Sequence, residues 1–220
     1  AQPSNILNRT IEITALHRTK GKFPIELSIW PHQQSGKQIF SAFIRDITDR
    51  KQREQVVWLH ANFDALTGLP NRRLLVNRLE LAITQAIANE TEVALLFIDL
   101  DRFKPVNDVY GHAVGDELLR LVAFRLQSVL REGDTVARLG GDEFIALLPG
   151  LKANDLLPRH TAEKISNALT QSFLIHEHVI TISGSIGIAL FPHDAADADT
   201  LLNSADKAMY SSKKATPRER

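Results

Sequence analysis

The sequence predicts an α/β (α+β) protein: a mixed central sheet wrapped by helices, preceded by a short β-rich segment. Three observations predict it. From residue 64 onward, stretches with helical apolar spacing alternate with short apolar runs of strand character. Residues 1–46 hold only strand-like runs divided by turns. The overall balance, 44% hydrophobic and 24% charged over 220 residues, suits a soluble globular chain of one large domain, or of one domain with an appendage.

The elements follow in order. "IEITALHR", "FPIELSIWP" and "QIFSAFIRD" read as strands, with "TKGK" and "QQSGK" as the turns. Three strands bury too little to make a core alone, so this segment reads as part of a domain. A polar, helix-forming segment, "DITDRKQREQVVWLHANFD", comes next. Ile47, Val57 and Ala61 give it a weak heptad seam, equally compatible with a plain linker helix and with a signalling helix that pairs with its copy. Leu75, Leu79, Ala82 and Ala86 share one helical face, and "EVALLFIDLD" is a short buried strand running into acids. Leu118, Val122, Leu126 and Val129 mark another helix. "TVARL" and "FIALL", divided by Gly140 and Gly141, read as a tight hairpin. Ile165, Leu169 and Phe173 suggest a further helix, "HVITISGSIGIAL" strands, and Leu201, Leu202, Ala205 and Met209 a last helix.

Composition narrows the function. Lys+Arg and Asp+Glu are both 26, so there is no basic excess to support general nucleic-acid binding. The chain has no cysteine, which excludes disulfides, thiolate metal sites and a cysteine nucleophile. Apolar runs such as "VALLFI" fall far short of the roughly 20 residues of a membrane helix, and no secretory leader opens the chain. The expectation is a cytoplasmic protein, or the cytoplasmic part of one.

The chemistry concentrates in two acidic pairs. Asp99 and Asp101 end a buried strand, where an unpartnered carboxylate is costly. Asp142 and Glu143 stand in the hairpin turn, beside glycines that leave the backbone open to a ligand. An ordinary solvated turn or strand end would account for each pair alone. If adjacent strands bring them together, they form an oxygen-rich platform for a hard cation such as Mg²⁺ and for phosphoryl transfer.

"GGDEF" at 140–144 resembles the signature of the diguanylate cyclase family. "DALTGLPNRR" (64–73), "DLDRFKPVNDVYGHAVGD" (99–116) and "SIGIA" (185–189) resemble three further blocks of that family in the same order. The resemblance covers residues 64 to about 214. It implies a helix-wrapped sheet similar to nucleotidyl cyclases and the polymerase palm. It also implies condensation of two GTP molecules into cyclic di-GMP with release of two pyrophosphates, across a homodimer that brings two GTPs face to face. By position, Asp99 and Asp142 would hold Mg²⁺ (or Mn²⁺) through their side chains and Leu100 through its carbonyl. Glu143 would be metal-linked or assist removal of the 3′-hydroxyl proton. Asn107 and Asp116 would read guanine, the carboxylate accepting from N1–H and the exocyclic amine. Lys104 and Lys213 would contact phosphates. Phe144 is expected in the core.

Arg131 and Asp134 in "REGD" have the spacing and placement of the family's RxxD product-inhibition site, with Arg138 expected to support it. Residues 21–52, "GKFPIELSIWPHQQSGKQIFSAFIRDITDRKQ", resemble the C-terminal strands and exit of a PAS sensor domain. The resulting division is 1–46 partial PAS domain, 47–63 signalling or linker helix, and 64–220 cyclase domain. His176 and His178 read as exposed polar residues on a strand, His112 as structural, and Trp30 and Trp58 as packing residues. One departure stands out. The family's Gly-Arg after the last helix is replaced by Thr216 and Pro217, with Arg218 one residue late, which bears on triphosphate affinity. Two rival readings stay open: a non-catalytic GTP- or cyclic di-GMP-binding module that controls a neighbouring domain, and a PAS-derived dimerisation module.

Overall fold

The computed structural model describes residues 7–215, which fall into two compact units, Ala1–Ala61 and Asn62–Arg220. Thr216, Pro217 and Arg218 lie outside the described residues.

The first unit is a three-stranded antiparallel meander, β1 (Thr10–His17), β2 (Gly21–Gln34) and β3 (Lys37–Asp46), in the order β1-β2-β3. It matches the three expected strands. β3 is exposed along its whole length, and Trp30 and Trp58 are 46% and 53% exposed, so neither is the packing residue expected. Helix α1 (Thr48–Asn62) starts where the Asp46 carboxylate accepts from the Thr48 amide and hydroxyl (2.9 and 2.6 Å). Its first turn is tied to the sheet by Arg50 and Lys51, which both donate to Glu12 at 2.6 Å.

The second unit opens with α2 (Arg72–Asn89), whose first turn is capped by Asn71 accepting from the Leu74 amide. Then follow β4 (Glu92–Asp101), α3 (Phe103–Tyr110) and α4 (His112–Val129). The hairpin is β5 (Thr135–Gly140) and β6 (Glu143–Leu151), and after it come α5 (Leu157–Thr170), β7 (Phe173–Ile175), β8 (His178–Ile180), β9 (Ser183–Phe191) and α6 (Ala198–Ala215). The main sheet has the order β5-β6-β4-β9. The helix-wrapped α+β architecture is as expected. The sheet is not mixed, because every neighbouring pair is antiparallel. The strands with helical connections, β4 and β5, are separated by β6, which pairs with both.

Alternation along the central strands builds two cores. Ala94, Leu96, Ile98 and Leu100 of β4 join Phe144, Ala146 and Leu148 of β6 in a core with α3, α4 and α5. Val93, Leu95 and Phe97 join Ile145 and Leu147 in a second core with α2 and α6. With both faces covered, β4 reads as an unbroken apolar run until the acids begin. Phe144 is fully buried beneath the turn. Phe173, expected on a helix, sits in β7 instead, because α5 ends at Thr170. The guanidinium of Arg125 closes that end, donating to the carbonyls of Ala168, Gln171 and Ser172. His176 occupies the β7–β8 turn at positive φ rather than a strand, while His178 begins β8 with its ring tilted 46° against that of Tyr110.

Candidate active site

The β4–β6 register brings one acid of the strand end to the hairpin pair: Asp99 lies directly opposite Glu143, and the Leu100 amide donates to the Asp142 carbonyl (3.2 Å). Like charges facing each other across a sheet are unfavourable, so the arrangement needs a counter-charge. Lys213, in the last turn of α6, supplies one by donating to Asp99 Oδ1. This ion pair raises the lysine's pKa. The two hairpin acids remain strained. Burial pushes the Asp142 carboxyl up and the charge of Asp99 adds to it. Burial, then Asp99, Asp142 and Asp206, push Glu143 up as well.

Asp101 goes elsewhere. Its two oxygens accept from the hydroxyls of Ser183 and Ser185 on β9, both at 2.7 Å, so it clasps two strands and stands apart from the hairpin pair. Among the described residues, no three acidic or histidine side chains already converge as a metal cage. The donor chemistry nevertheless fits a hard cation. Every side-chain donor is a carboxylate oxygen, and burial together with the neighbouring acids has raised two of them toward the protonated form, which a divalent ion would oppose.

The turn itself is held from below. Gly140 and Gly141 have φ of 152° and 53°, and a Cβ on either would meet nothing within 4 Å, so the backbone faces open space. Arg138, only 8% exposed, donates to the Gly141 carbonyl from Nε (3.1 Å) and from a terminal nitrogen (2.7 Å). Its other terminal nitrogen donates to Asp64 (2.9 Å), which also accepts from the Thr67 amide and hydroxyl. The "DALTG" block is thus a brace for the glycine turn. Arg138, expected to support the Arg131 site, is spent on this brace instead and does not line the Arg131 concavity.

The pair expected to read guanine lies on α3 and α4. Asn107 is half-buried, and Asp116 is exposed in the early part of α4. A Cβ at Gly115 would fall 1.9 Å from Asn107 Oδ1, so the amide rests in the space that glycine leaves beside Asp116. Lys104 is exposed in the first turn of α3, and His112 is exposed at the start of α4.

The inhibitory candidates are preformed. Arg131 Nε donates to Asp134 Oδ1 (3.0 Å), its backbone amide to Oδ2 (3.3 Å), and a terminal nitrogen to the Pro149 carbonyl (2.9 Å). Single-residue reading missed Ser183, Ser185, Gly115 and Gly187. A Cβ at Gly187 would come within 2.0 Å of the Met209 amide and 2.3 Å of the Ala205 carbonyl, where α6 crosses β9. The "SIGIA" block signals this crossing, but only the fold shows what the glycine admits.

With the helix-wrapped antiparallel sheet and its acidic hairpin described, comparison with known proteins is direct. The model of the "Diguanylate cyclase, GGDEF domain" family matches residues 61–219, and the chain belongs to that family. It is 49% identical over 150 residues to the bifunctional diguanylate cyclase/cyclic di-GMP phosphodiesterase MucR of Pseudomonas aeruginosa, covering 68% of this chain and 22% of MucR. The solved GGDEF domain of TpbB (YfiN) from the same species superposes with a TM-score of 0.67 at 42% identity, covering 69% of this chain and 88% of that one. The coiled coil and GGDEF domain of DgcB from Caulobacter crescentus, solved in complex with c-di-GMP, gives 0.70 at 27% identity, covering 77% and 90%. The chain spans less than half the length of the first curated relatives it matches, 22%, 24% and 38% of them. No described helix is long and apolar enough to cross a membrane.

Proposed function

We propose that this chain is a diguanylate cyclase that condenses two GTP molecules into cyclic di-GMP and releases two pyrophosphates. The observation that carries the reading is the meeting of Asp99 with Glu143 and Asp142 at one sheet end, with Lys213 against Asp99. In each of two steps the 3′-oxygen of one GTP attacks the α-phosphorus of the other. A new P–O bond forms as the bond to the β-phosphate oxygen breaks, pyrophosphate departs, and the 3′-hydroxyl proton is given up.

Asp99, Asp142 and the Leu100 carbonyl are the groups that would hold Mg²⁺ or Mn²⁺. When bound, such an ion neutralises phosphate charge as it develops. Glu143, whose raised proton affinity suits it to accept a proton, assists deprotonation of the 3′-hydroxyl. Lys213 and Lys104 place mobile positive charge by the phosphates, and Asn107 and Asp116 pair with the guanine edge. The open glycine turn lets the triphosphate lie against the backbone, and the Arg138 brace keeps that turn in place.

Each domain holds one GTP, so the active form is a homodimer, cytoplasmic like its nucleotide substrate. Arg131 and Asp134 bind product and inhibit. Residues 1–46 are the closing strands of a PAS sensor domain, 47–63 a signalling helix and 64–220 the catalytic domain. The antiparallel three-stranded order of the first unit supports that assignment. The test is incubation with GTP and Mg²⁺, with products resolved by chromatography. Cyclic di-GMP is expected, and binding of GTP without turnover would favour a purely regulatory module instead.

A further inference from the structure

Beside Arg131 the surface hollows into a concavity of about 200 Å³ lined in part by Arg78, Gln127, Leu130, Arg131, Asp134 and Thr135. Its charge is unbalanced. The Asp134 side chain is 3% exposed and turns one oxygen to the Arg131 Nε and the other to the Arg131 amide. That carboxylate is therefore committed to orienting Arg131 and has little left for a ligand. Arg78 reaches in from α2. Its guanidinium makes one hydrogen bond, from a terminal nitrogen to the hydroxyl of buried Thr135 (3.0 Å), and among the described residues no carboxylate pairs with it. A hydroxyl fixes the direction of a guanidinium without cancelling its charge. The hollow thus presents two guanidinium groups, each anchored on one side, against a single carboxylate already engaged.

We propose that Arg78 is a second ligand-binding arginine of this site. It takes a phosphodiester of cyclic di-GMP, while Arg131 takes the neighbouring phosphate or guanine edge. The proposal rests on the reading of Arg131 and Asp134 as a product site given above. Anchored guanidinium groups suit this ligand because their planar N–H forks match the paired oxygens of a phosphodiester. The size fits as well. Small-molecule pockets usually span about 300–1,000 Å³, so this smaller hollow seats one phosphodiester and its base and leaves the rest of the dinucleotide outside. Arg78 lies on α2, far in sequence from the "REGD" segment, and no local motif would have linked the two.

The test is calorimetric titration of this chain with cyclic di-GMP in the absence of GTP, comparing the parent with Arg78→Ala, Arg78→Lys and Arg131→Ala. Both alanine variants are expected to weaken binding about ten- to a hundredfold, the usual loss when a charged hydrogen-bond donor is removed. Arg78→Lys, which keeps charge but loses the fork, is expected to fall between. The salt dependence of binding should also be shallower in Arg78→Ala, which loss of a merely structural contact would not produce. If Arg78→Ala unfolds, the lysine variant alone decides, and parent-like affinity in it overturns the proposal. Loss in Arg131→Ala with parent-like affinity in Arg78→Ala overturns the role of Arg78 and leaves the product site standing. Absence of binding by the parent, or equal binding by all four, overturns both readings.

Discussion

Glu143 and Asp99 face each other across two paired strands, and Asp142 adjoins them, so three negative charges share one sheet end with Lys213 as the cation hydrogen-bonded there. Exchanging Glu143 for Gln keeps the shape and removes one of these charges. Turnover is expected to drop by about 10²–10⁴-fold, the range for losing a general base, while the metal-free melting temperature holds or rises. Steady-state rates and thermal melts of the same preparation check both halves. The raised carboxyls also set a pH dependence. A group with a raised pKa holds its proton more firmly when the chain is folded, so the folded state binds more protons just above the ordinary carboxylate range. Stability from Asp142 and Glu143 therefore falls as pH rises through that window. Asp64 has the opposite sign. Burial pulls it up, but hydrogen bonds from Thr67 and Arg138 more than offset this, so its contribution fades as pH falls through its lowered value. Added Mg²⁺ is expected to raise the melting temperature more at neutral than at acidic pH, because it needs the ionised carboxylates. An increment that shrinks toward neutral pH in a thermal-shift series would speak against these acids as the metal site.

At the scale of elements, the seat of α6 on β9 is tightly constrained. A methyl at Gly187 would collide with helix backbone, which has no side-chain torsion through which to yield. Gly187→Ala is expected to cost about 1–3 kcal/mol in urea unfolding, as overpacking does, and to slow turnover by shifting Lys213 away from Asp99. Gly115→Ala differs, because the atom it would strike is the tip of the Asn107 side chain. It is expected to leave the melting temperature nearly unchanged and to weaken GTP binding in calorimetry, since the amide must swing away. These two glycines also mark the limit of what pattern reading reveals. The hairpin, the buried strand with its terminal acids and the amphipathic faces of α2, α4 and α6 were legible because periodicity and turn residues are local signals. Helix α3 was not read as a separate element, since eight residues containing Pro105 leave little room for a repeat. Phe173 continued the spacing of α5 by coincidence. The separation of Asp101 from Asp99 could not be read either, because it depends on serines that lie 82 and 84 residues away.

For the whole molecule, the proposal that two GTP-bearing domains face each other predicts a rate per chain that rises with chain concentration and then levels off. A rate per chain independent of dilution, in a series spanning the dimerisation range, would argue against the homodimer. The proposed product control would act at the same scale. Holding the domains in an arrangement where the sites do not meet requires a differential affinity of only about 1–3 kcal/mol. Progress curves of the Arg131→Ala variant with added cyclic di-GMP should accordingly lack the slowing expected of the parent. The sequence showed the charge balance and the two-part organisation. It did not show how exposed the first unit's third strand is, since "QIFSAFIRD" reads as a half-buried strand in any setting. Finally, the pairing of β4 with β6 runs from fully buried apolar residues at Val93–Ile98 to facing carboxylates at Asp99, so packing and repulsion are concentrated at opposite ends of one ladder. Such a ladder should open like a zipper from one side. In native-state deuterium exchange, amides around residues 99–101 and 142–143 are expected to exchange by local fraying, while those at 94–97 wait for global unfolding. Mg²⁺ with a non-hydrolysable GTP analogue should slow exchange at the frayed end alone, which makes the gradient itself a report of occupancy at the acidic corner.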